Sequence, residues 1–331
     1  MTASYTVVVL GAGAAGLTAA RHLVADHRVV VIDKGRGVGG RMATRRLGAA
    51  TFDHGAQFVT THSTEFAEEV TRWCDAGVAQ PWYRGRVGPD GADDHDGHVR
   101  YRGATSMNAV AKHLAEGLDV RRATRAVAIR VRDDAWVVDL DGREELQADA
   151  VVVTAPVPQA LELLDAGSTA VAADDRRALE RIEYEPCLAV MVRLDGPAGL
   201  PEPGAVAPDD GPLDWVADNQ AKGISSEPAL TLHPGAAASA ALWDEPDEDV
   251  VAEVLAAAQA FTARPLVALE HSVQRWRYAR PSVSHPDRHL VLSGLPPLVL
   301  AGDAFGEPKV EGAVRSGASA ASAVREALAA R

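Results

Sequence analysis

A glycine-rich turn near the start of the chain constrains the fold more than any other feature. Gly11-Ala12-Gly13-Ala14-Ala15-Gly16 follows a short apolar run, Tyr5 to Leu10, and opens a segment, Ala14 to Ala25, whose apolar spacing is helical. Arg28 to Ile32 then reads as a second buried strand, which completes a β-α-β unit. In such a unit Gly11 permits the tight turn out of the strand. Gly13 lets the backbone approach a pyrophosphate, whose charge meets the N-terminal end of the helix at Ala14 and Ala15, and Gly16 lets the helix pack close to the strand. Asp33 ends the second strand, about 20 residues further on, where a carboxylate accepts hydrogen bonds from ribose hydroxyls. The pattern predicts a Rossmann-type dinucleotide site and does not by itself choose between NAD and FAD.

The chain has 331 residues, too many for one ordinary core, and is expected to form two joined domains. Its 47% hydrophobic and 24% charged residues are those of a globular protein. No stretch of about 20 residues is continuously apolar, and the first apolar run carries neither a basic leader nor a cleavage site. The expectation is a cytoplasmic protein without a membrane partner. A net charge of −13 argues against nucleic acid as a partner. Cys74 and Cys187 do not form a CxxC pair and read as two reduced thiols, which removes the dithiol of a disulfide reductase. Arginine is frequent, whereas Lys34, Lys112, Lys222 and Lys309 are the only lysines.

Further along, Ser63 to Ala76 reads as a helix capped by Ser63 or Thr64, and Ser106 to Glu116 as another. Residues 84 to 98 are rich in Gly, Asp and His and read as an exposed excursion that carries His95 and His98. Val127 to Val131, Ala135 to Leu140 and Ala150 to Val153 read as strands, with turns at Asp133-Asp134 and Asp141-Gly142, and Pro156 and Pro158 close the last of them. Leu188 to Leu194 and Leu230 to His233 are strands, and Asp249 to Phe261 is a helix. Val299 to Gly302 is a buried strand, followed by a closing helix from Gly312 to Ala330.

Two further segments select the dinucleotide. Asp33-Lys34-Gly35-Arg36-Gly37-Val38-Gly39-Gly40-Arg41-Met42 resembles the glycine-doublet extension of the FAD amine-oxidase superfamily: Gly39 and Gly40 let a loop pass close to the pyrophosphate, and Arg41 can neutralise it. Near the other end, Ala301-Gly302-Asp303 ends a strand and Val310-Glu311-Gly312-Ala313 opens a helix, repeating the layout of the first motif. In that superfamily the aspartate binds the ribityl chain of FAD. Helix amides at Glu311, Gly312 and Ala313 can face the flavin pyrimidine edge.

Gly39-Gly40-Arg41-Met42 is followed by Phe52-Asp53-His54-Gly55-Ala56-Gln57-Phe58, and this pairing resembles the renalase family. Val99 to Met107, Val153 to Pro158, Val216 to Asn219, Gln274 to Arg277 and the Gly302-Asp303 end extend the resemblance, in order, over nearly the whole chain. The resemblance implies an α/β fold: a Rossmann-like FAD-binding domain of the two-dinucleotide-binding type with an inserted antiparallel-sheet substrate domain. The expected FAD domain comprises 1–58, 99–160 and 282–331, and the substrate domain 59–98 and 161–281. Lys34, Val127 and Thr154 join the cofactor contacts that the resemblance implies. FAD is expected to be non-covalent, since neither cysteine lies near the C-terminal motif where amine oxidases attach flavin.

The implied reaction is oxidation of 2- or 6-dihydro isomers of NAD(P)H to NAD(P)+, with dioxygen reduced to hydrogen peroxide. The resemblance implies that Asn219 and His233 face the substrate, that Gln57 and Phe58 lie near the flavin, and that Trp276 with Arg277 and Tyr278 forms one wall of the flavin-facing cavity; Phe58 is equally readable as core. His233 is equally readable as a strand residue making one backbone contact, and Trp276-Arg277-Tyr278 as a strand-end packing set. A dihydropyridine is already a hydride donor and needs placement rather than a strong base. The chain accordingly shows no Ser-His-Asp set, metal-ligand cluster or nucleophilic cysteine. The alternatives on the same scaffold are an amine oxidase or desaturase, which usually frames its substrate nitrogen with an aromatic pair, and a non-catalytic binding protein. At 5% aromatic residues, no such pair stands out. A pyridine-nucleotide-dependent reductase commonly carries a second GxGxxG, and only one is present.

Overall fold

The computed structural model describes residues 5–93 and 96–331. The chain forms two compact units, one made of Met1–Gly40, Ala111–Glu183 and Pro281–Arg331, the other of Arg41–Val110 and Tyr184–Arg280. The α/β class, with a Rossmann-like domain and a separate antiparallel sheet, is the fold the sequence led us to expect.

The first unit is built on a six-stranded sheet among the described residues. Its order is Leu290–Val291, Leu298–Leu300, Ala150–Val153, Thr6–Leu10, Arg28–Ile32 and Asp119–Arg121. Only the Leu290–Val291 edge pairs antiparallel. The central strands are continuous Val/Leu/Ile runs buried on both faces, as a parallel sheet covered by helices requires. The helix Ala14–Leu23 packs against the closing helix Lys309–Ala329 through small residues. A Cβ on Gly317 would stand 2.2 Å from the Ala15 carbonyl oxygen, so only glycine allows this approach. A three-stranded meander, Ala126–Arg132, Ala135–Leu140 and Glu145–Ala148, belongs to the same unit. Asp133 and Asp134 both take positive φ (51° and 62°) in its first turn, the geometry that a two-residue hairpin demands. Pro156 and Pro158 do more than end a strand: Val157–Ala166 is a helix with proline in its first turn, where the missing N–H costs nothing.

The second unit is built on a five-stranded sheet of order Ala205–Val206, Leu213–Asp218, Ala229–Pro234, Glu183–Leu194 and Ala268–Val283. Successive side chains on a strand alternate faces. One face carries Val190, Val192, Val216, Leu230 and Leu232, which close a core with Val250, Val251 and Val254 of the helix Asp247–Ala258. At about 1.5–3 kcal/mol for each fully buried aliphatic side chain, this face contributes much of the unit's stability. The other face carries Met191, Thr231, His233, Trp215 and Ala217. It receives the two-stranded ribbon Thr44–Leu47 and Ala50–Asp53, whose Ala50 and Phe52 pack on Met191 and Ala229.

Some sequence expectations need correction here. Trp276 lies inside the 16-residue strand Ala268–Val283 rather than at a strand end. His98 is half-buried rather than exposed, its ring edge-on to His62 at 4.6 Å, and His95 lies outside the described residues. Among the described residues no helix is long and apolar enough to cross a membrane.

Candidate functional site

In the first unit the glycine turn is cut to receive a group above its backbone. Gly11 leaves the strand at φ +109° with its N–H donating to Ile32 O (2.8 Å). A Cβ on Gly16 would stand 1.9 Å from Gly11 O, so the helix sits hard against the strand end, whereas the same position on Gly13 meets nothing within 4 Å. Gly13 caps the helix with no side-chain cap and no acidic residue in the first turn. The amides of Ala14, Ala15 and Gly16 begin the helix, where no preceding turn supplies an acceptor. Gly40 (φ +53°) folds over this turn, a Cβ there falling 3.4 Å from the Gly13 Cα, and Gly39 N donates to Ala12 O (2.8 Å). An anion-sized opening above a bare helix N-terminus fits a dinucleotide diphosphate.

Asp33 organises the same turn. Its Oδ2 accepts from Ala12 N (2.7 Å) and its Oδ1 from Gly35 N (2.6 Å). Each oxygen keeps a second lone-pair direction for a ribose hydroxyl. Thr154 joins the two ends of the chain: its Oγ1 donates to Leu10 O (2.9 Å) and crowds the Cβ position of Gly11, while its carbonyl oxygen lies 3.8 Å from where a Cβ on Gly302 would stand. Gly302 (φ +139°) is fixed by its N–H to Ser316 Oγ (2.8 Å), and Asp303 beside it is half-buried. At the start of the last helix Glu311 and Gly312 are buried and Ala313 half-buried. Lys34 is exposed and reaches Gln159 Oε1 (3.0 Å), and Val127 stands 42% exposed on the meander. No backbone hydrogen bond outside the strands joins Val127 to the glycine turn among the described residues.

In the second unit Gln57, Asn219, His233 and Trp276, the candidate site residues, come together on the sheet face that receives the ribbon. The turn Asp53-His54-Gly55-Ala56-Gln57 is folded tightly under Arg41, since a Cβ on Gly55 would meet Arg41 O at 1.9 Å. Arg41 donates through Nη1 to Tyr278 O (3.3 Å) and Ala279 O (3.1 Å). Gln57 Nε2 donates to Asp53 O (2.7 Å) and Gly55 O (3.1 Å), which orients its amide. Thr231 Oγ1 donates to Asp53 O (3.0 Å) and accepts from Asn219 Nδ2 (3.0 Å). Trp276 Nε1 donates to His54 O (3.0 Å), and the two rings stack at 5.4 Å with 12° between their planes.

The electrostatics of this face are unusual. Lys222 Nζ donates to Asp53 Oδ2 (2.9 Å) and to Gln57 Oε1 (3.4 Å), and both charged side chains are fully buried. Burial pulls the Lys222 ammonium below the ordinary lysine value, and the Asp53 carboxylate opposes that pull. The ammonium lies 5.0 Å from the centre of the Trp82 ring. Trp82, Tyr83, Phe58 and Trp215 form one aromatic cluster with centroid separations of 4.9–6.3 Å. Burial lowers His54 to about 4, helped by Arg45, and lowers His233 to about 4, helped by His54. Both imidazoles are therefore neutral near pH 7. Cys187 is pushed up to about 12 by burial, so its thiol is unreactive. Among the described residues no cluster of three or more His, Cys, Asp or Glu is arranged to hold a metal ion.

Sequence reasoning missed Asp53, Lys222, Trp215 and Thr231. Asp53 sat inside a quoted motif without a role. Lys222 carried one usable signal, being one of four lysines in a chain that otherwise uses arginine.

With this geometry in view, the chain matches the family model described as flavin containing amine oxidoreductase over residues 87–325, and the NAD(P)-binding Rossmann-like domain over residues 9–76. Renalase of Mus musculus is 23% identical over 334 residues, covering 95% of this chain and 96% of that protein. Among solved structures, putrescine oxidase bound to putrescine has a TM-score of 0.75 at 15% identity, covering 98% of this chain and 99% of that one. A CLA-producing fatty acid isomerase from P. acnes has a TM-score of 0.69 at 13% identity, covering 95% and 97%. These two structures share the fold and differ in chemistry.

Proposed function

The chain belongs to the flavin containing amine oxidoreductase family, and from that membership we propose an FAD-dependent oxidase that returns 2- or 6-dihydro isomers of NAD(P)H to NAD(P)+. The family and the renalase relative support a renalase-like flavin-dependent oxidoreductase acting on a small molecule. Neither cysteine lies near the C-terminal motif, so the FAD is held without a covalent bond. When bound, FAD would supply two-electron redox chemistry, with the substrate's hydride and one solvent proton ending on dioxygen as hydrogen peroxide.

The residues of the first unit bind. The Gly13 opening and the amides of Ala14 to Gly16 take the diphosphate, the spare lone pairs of Asp33 take a ribose, and Asp303 takes the ribityl chain. The residues of the second unit position the substrate. Gln57 and Trp276 are held by hydrogen bonds to the Asp53–Gly55 backbone, and Asn219 by Thr231, so the face is preorganised. Neither imidazole is a strong base, and a dihydropyridine, which leaves as an aromatic nicotinamide once its hydride is transferred, needs none. Two free thiols are in keeping with a cytoplasmic location.

One observation carries the choice of a dihydropyridine over an amine. The cation against the aromatic cluster is the protein's own Lys222. The Trp82 ring face that could hold an ammonium substrate is therefore already taken by an internal cation, whereas a neutral dihydropyridine ring needs no such cation site. Steady-state turnover tests this. The 2- and 6-dihydro isomers should yield NAD(P)+ and hydrogen peroxide in equal amounts, far faster than the 4-dihydro form or putrescine. Peroxide formation from putrescine alone would move the protein to the amine-oxidase reading.

A further inference from the structure

Four of the eight buried side-chain polar atoms that lack a hydrogen-bond partner among the described residues lie on one patch of the second unit. Among the described residues, Trp215 Nε1, Asn219 Oδ1, His233 Nε2 and His54 Nδ1 are all shielded from solvent and make no hydrogen bond. Such atoms are expensive to bury and are rare in folded proteins. Their arrangement is local. Trp215 and His233 are directly opposed on neighbouring antiparallel strands, so their side chains rise from the same face as near neighbours. Thr231, two residues from His233 on that face, holds the Asn219 amide by its Nδ2 and so leaves Oδ1 open. His233 turns its other ring nitrogen toward the His54 backbone carbonyl, which leaves Nε2 as a bare acceptor in the neutral ring. Trp215 is only 8% exposed, and its indole N–H is a donor that can accept nothing in exchange.

Apart from His54, whose ring is stacked on Trp276, the patch offers one committed donor beside two acceptors. A carboxylate would satisfy the donor and repel both acceptors. A ketone would satisfy the donor and leave both acceptors bare. A primary carboxamide presents a carbonyl oxygen and two N–H bonds in one plane, and satisfies all three. We infer that Trp215, Asn219 and His233 form a recognition site for a planar primary carboxamide on the substrate ring, with Trp215 as a specificity-determining residue. The inference rests on the reading of this face as the substrate side, and names which substituent of the dihydropyridine it selects.

Ligand titrations of the flavin-loaded enzyme, followed by perturbation of the flavin absorbance, test it without turnover. Nicotinamide should bind on the order of tenfold more tightly than 3-acetylpyridine or nicotinate, since each rival leaves buried acceptors unpaired or opposed. Trp215→Phe should weaken nicotinamide about tenfold and leave 3-methylpyridine, which offers the indole no acceptor, unchanged. Equal affinities across the wild-type series, or an equal loss for every ligand in Trp215→Phe, would overturn the inference. If the variant does not retain flavin, the wild-type series decides alone. Flavin bleaching by dihydro isomers without carboxamide discrimination overturns the recognition site and leaves the reaction standing. Carboxamide discrimination without such bleaching supports the site and removes the reaction.

Discussion

Lys222 Nζ lies 2.9 Å from Asp53 Oδ2, across 169 residues of sequence, with neither side chain reaching solvent. The second carboxylate oxygen of Asp53 accepts from Thr44 Oγ1 (2.7 Å) and Met107 N (2.9 Å). One carboxylate therefore ties the ribbon, the helix Met107–Leu114 and the turn between Leu213–Asp218 and Ala229–Pro234 into a single polar knot. A buried pair of this kind adds little over a well-packed apolar substitute, but breaking it leaves a bare charge.

Lys222→Met should therefore destabilise the protein by about 3–5 kcal/mol, because Asp53 is left buried and uncompensated. Asp53→Asn should cost a similar amount, and the double variant clearly less than the sum of the two. Urea unfolding followed by tryptophan fluorescence measures all three. Strict additivity would mean that the two groups do not act as a pair.

The glycine turn makes a sharper prediction from two neighbouring positions. Gly16→Ala puts a methyl group 1.9 Å from a backbone oxygen and should prevent stable folding of the first unit. Gly13→Ala has open space and should fold with near wild-type stability, yet purify with much less flavin, because the methyl group occupies the diphosphate's place. Flavin absorbance per protein and a thermal melt of each variant separate the two effects. Full flavin content in Gly13→Ala would place the diphosphate elsewhere.

Asp33 carries two duties that one substitution can divide. Asp33→Asn retains one acceptor oxygen for the Ala12 or Gly35 amide and loses the charged acceptor offered to the ribose. FAD affinity should fall by about 1.5–3 kcal/mol while the fold is kept, and Asp33→Ala should also loosen the loop. Titration of apoprotein with FAD by fluorescence quenching reads the loss, and unaltered affinity in Asp33→Asn would contradict the ribose assignment.

The two depressed histidines set a pH dependence. His54 and His233 have folded pKa values of about 4 against 6.5 in an unfolded chain. Between those values the unfolded chain binds protons that the folded chain refuses. Their share of stability is complete above about pH 6.5, declines as the pH falls toward about 4, and changes little below that; at most it is about 3 kcal/mol for each ring. The urea midpoint should drop between about pH 7.5 and pH 5, and should drop less in His54→Gln. An unchanged slope in that variant would mean that His54 titrates normally.

How much of this was readable in the sequence differs between the two units, for a physical reason. The first unit is made of local units: Thr6–Leu10, Ala14–Leu23 and Arg28–Ile32 are set by hydrophobic period and by glycines whose roles are fixed within a few residues. In the second unit Ala268–Val283 was not recognised as one long strand, because its two faces meet different partners: Val273 enters the apolar core, Trp276 stacks on His54 and Arg277 lies over Trp243. No single alternation of apolar and polar residues survives. The ribbon Thr44–Leu47 and Ala50–Asp53 was hidden in an arginine-rich stretch whose arginines reach backbone carbonyls and the side chains of Ser272 and Gln274. The Lys222–Asp53 pair is a tertiary fact without a local trace.

Anaerobic stopped-flow mixing of the flavin-loaded enzyme with each dihydro isomer of NAD(P)H and with a panel of amines separates dihydropyridine oxidation from amine oxidation. Isomers of equal size differ in which ring carbon can lie about 3–3.5 Å from the flavin N5 in one fixed pose, so their rates should differ greatly. The account predicts rapid loss of the oxidised flavin band with the 2- or 6-dihydro isomers, and slow or no loss with the 4-dihydro form and with amines. Rapid bleaching by an amine together with none by the 2- and 6-dihydro isomers would contradict it.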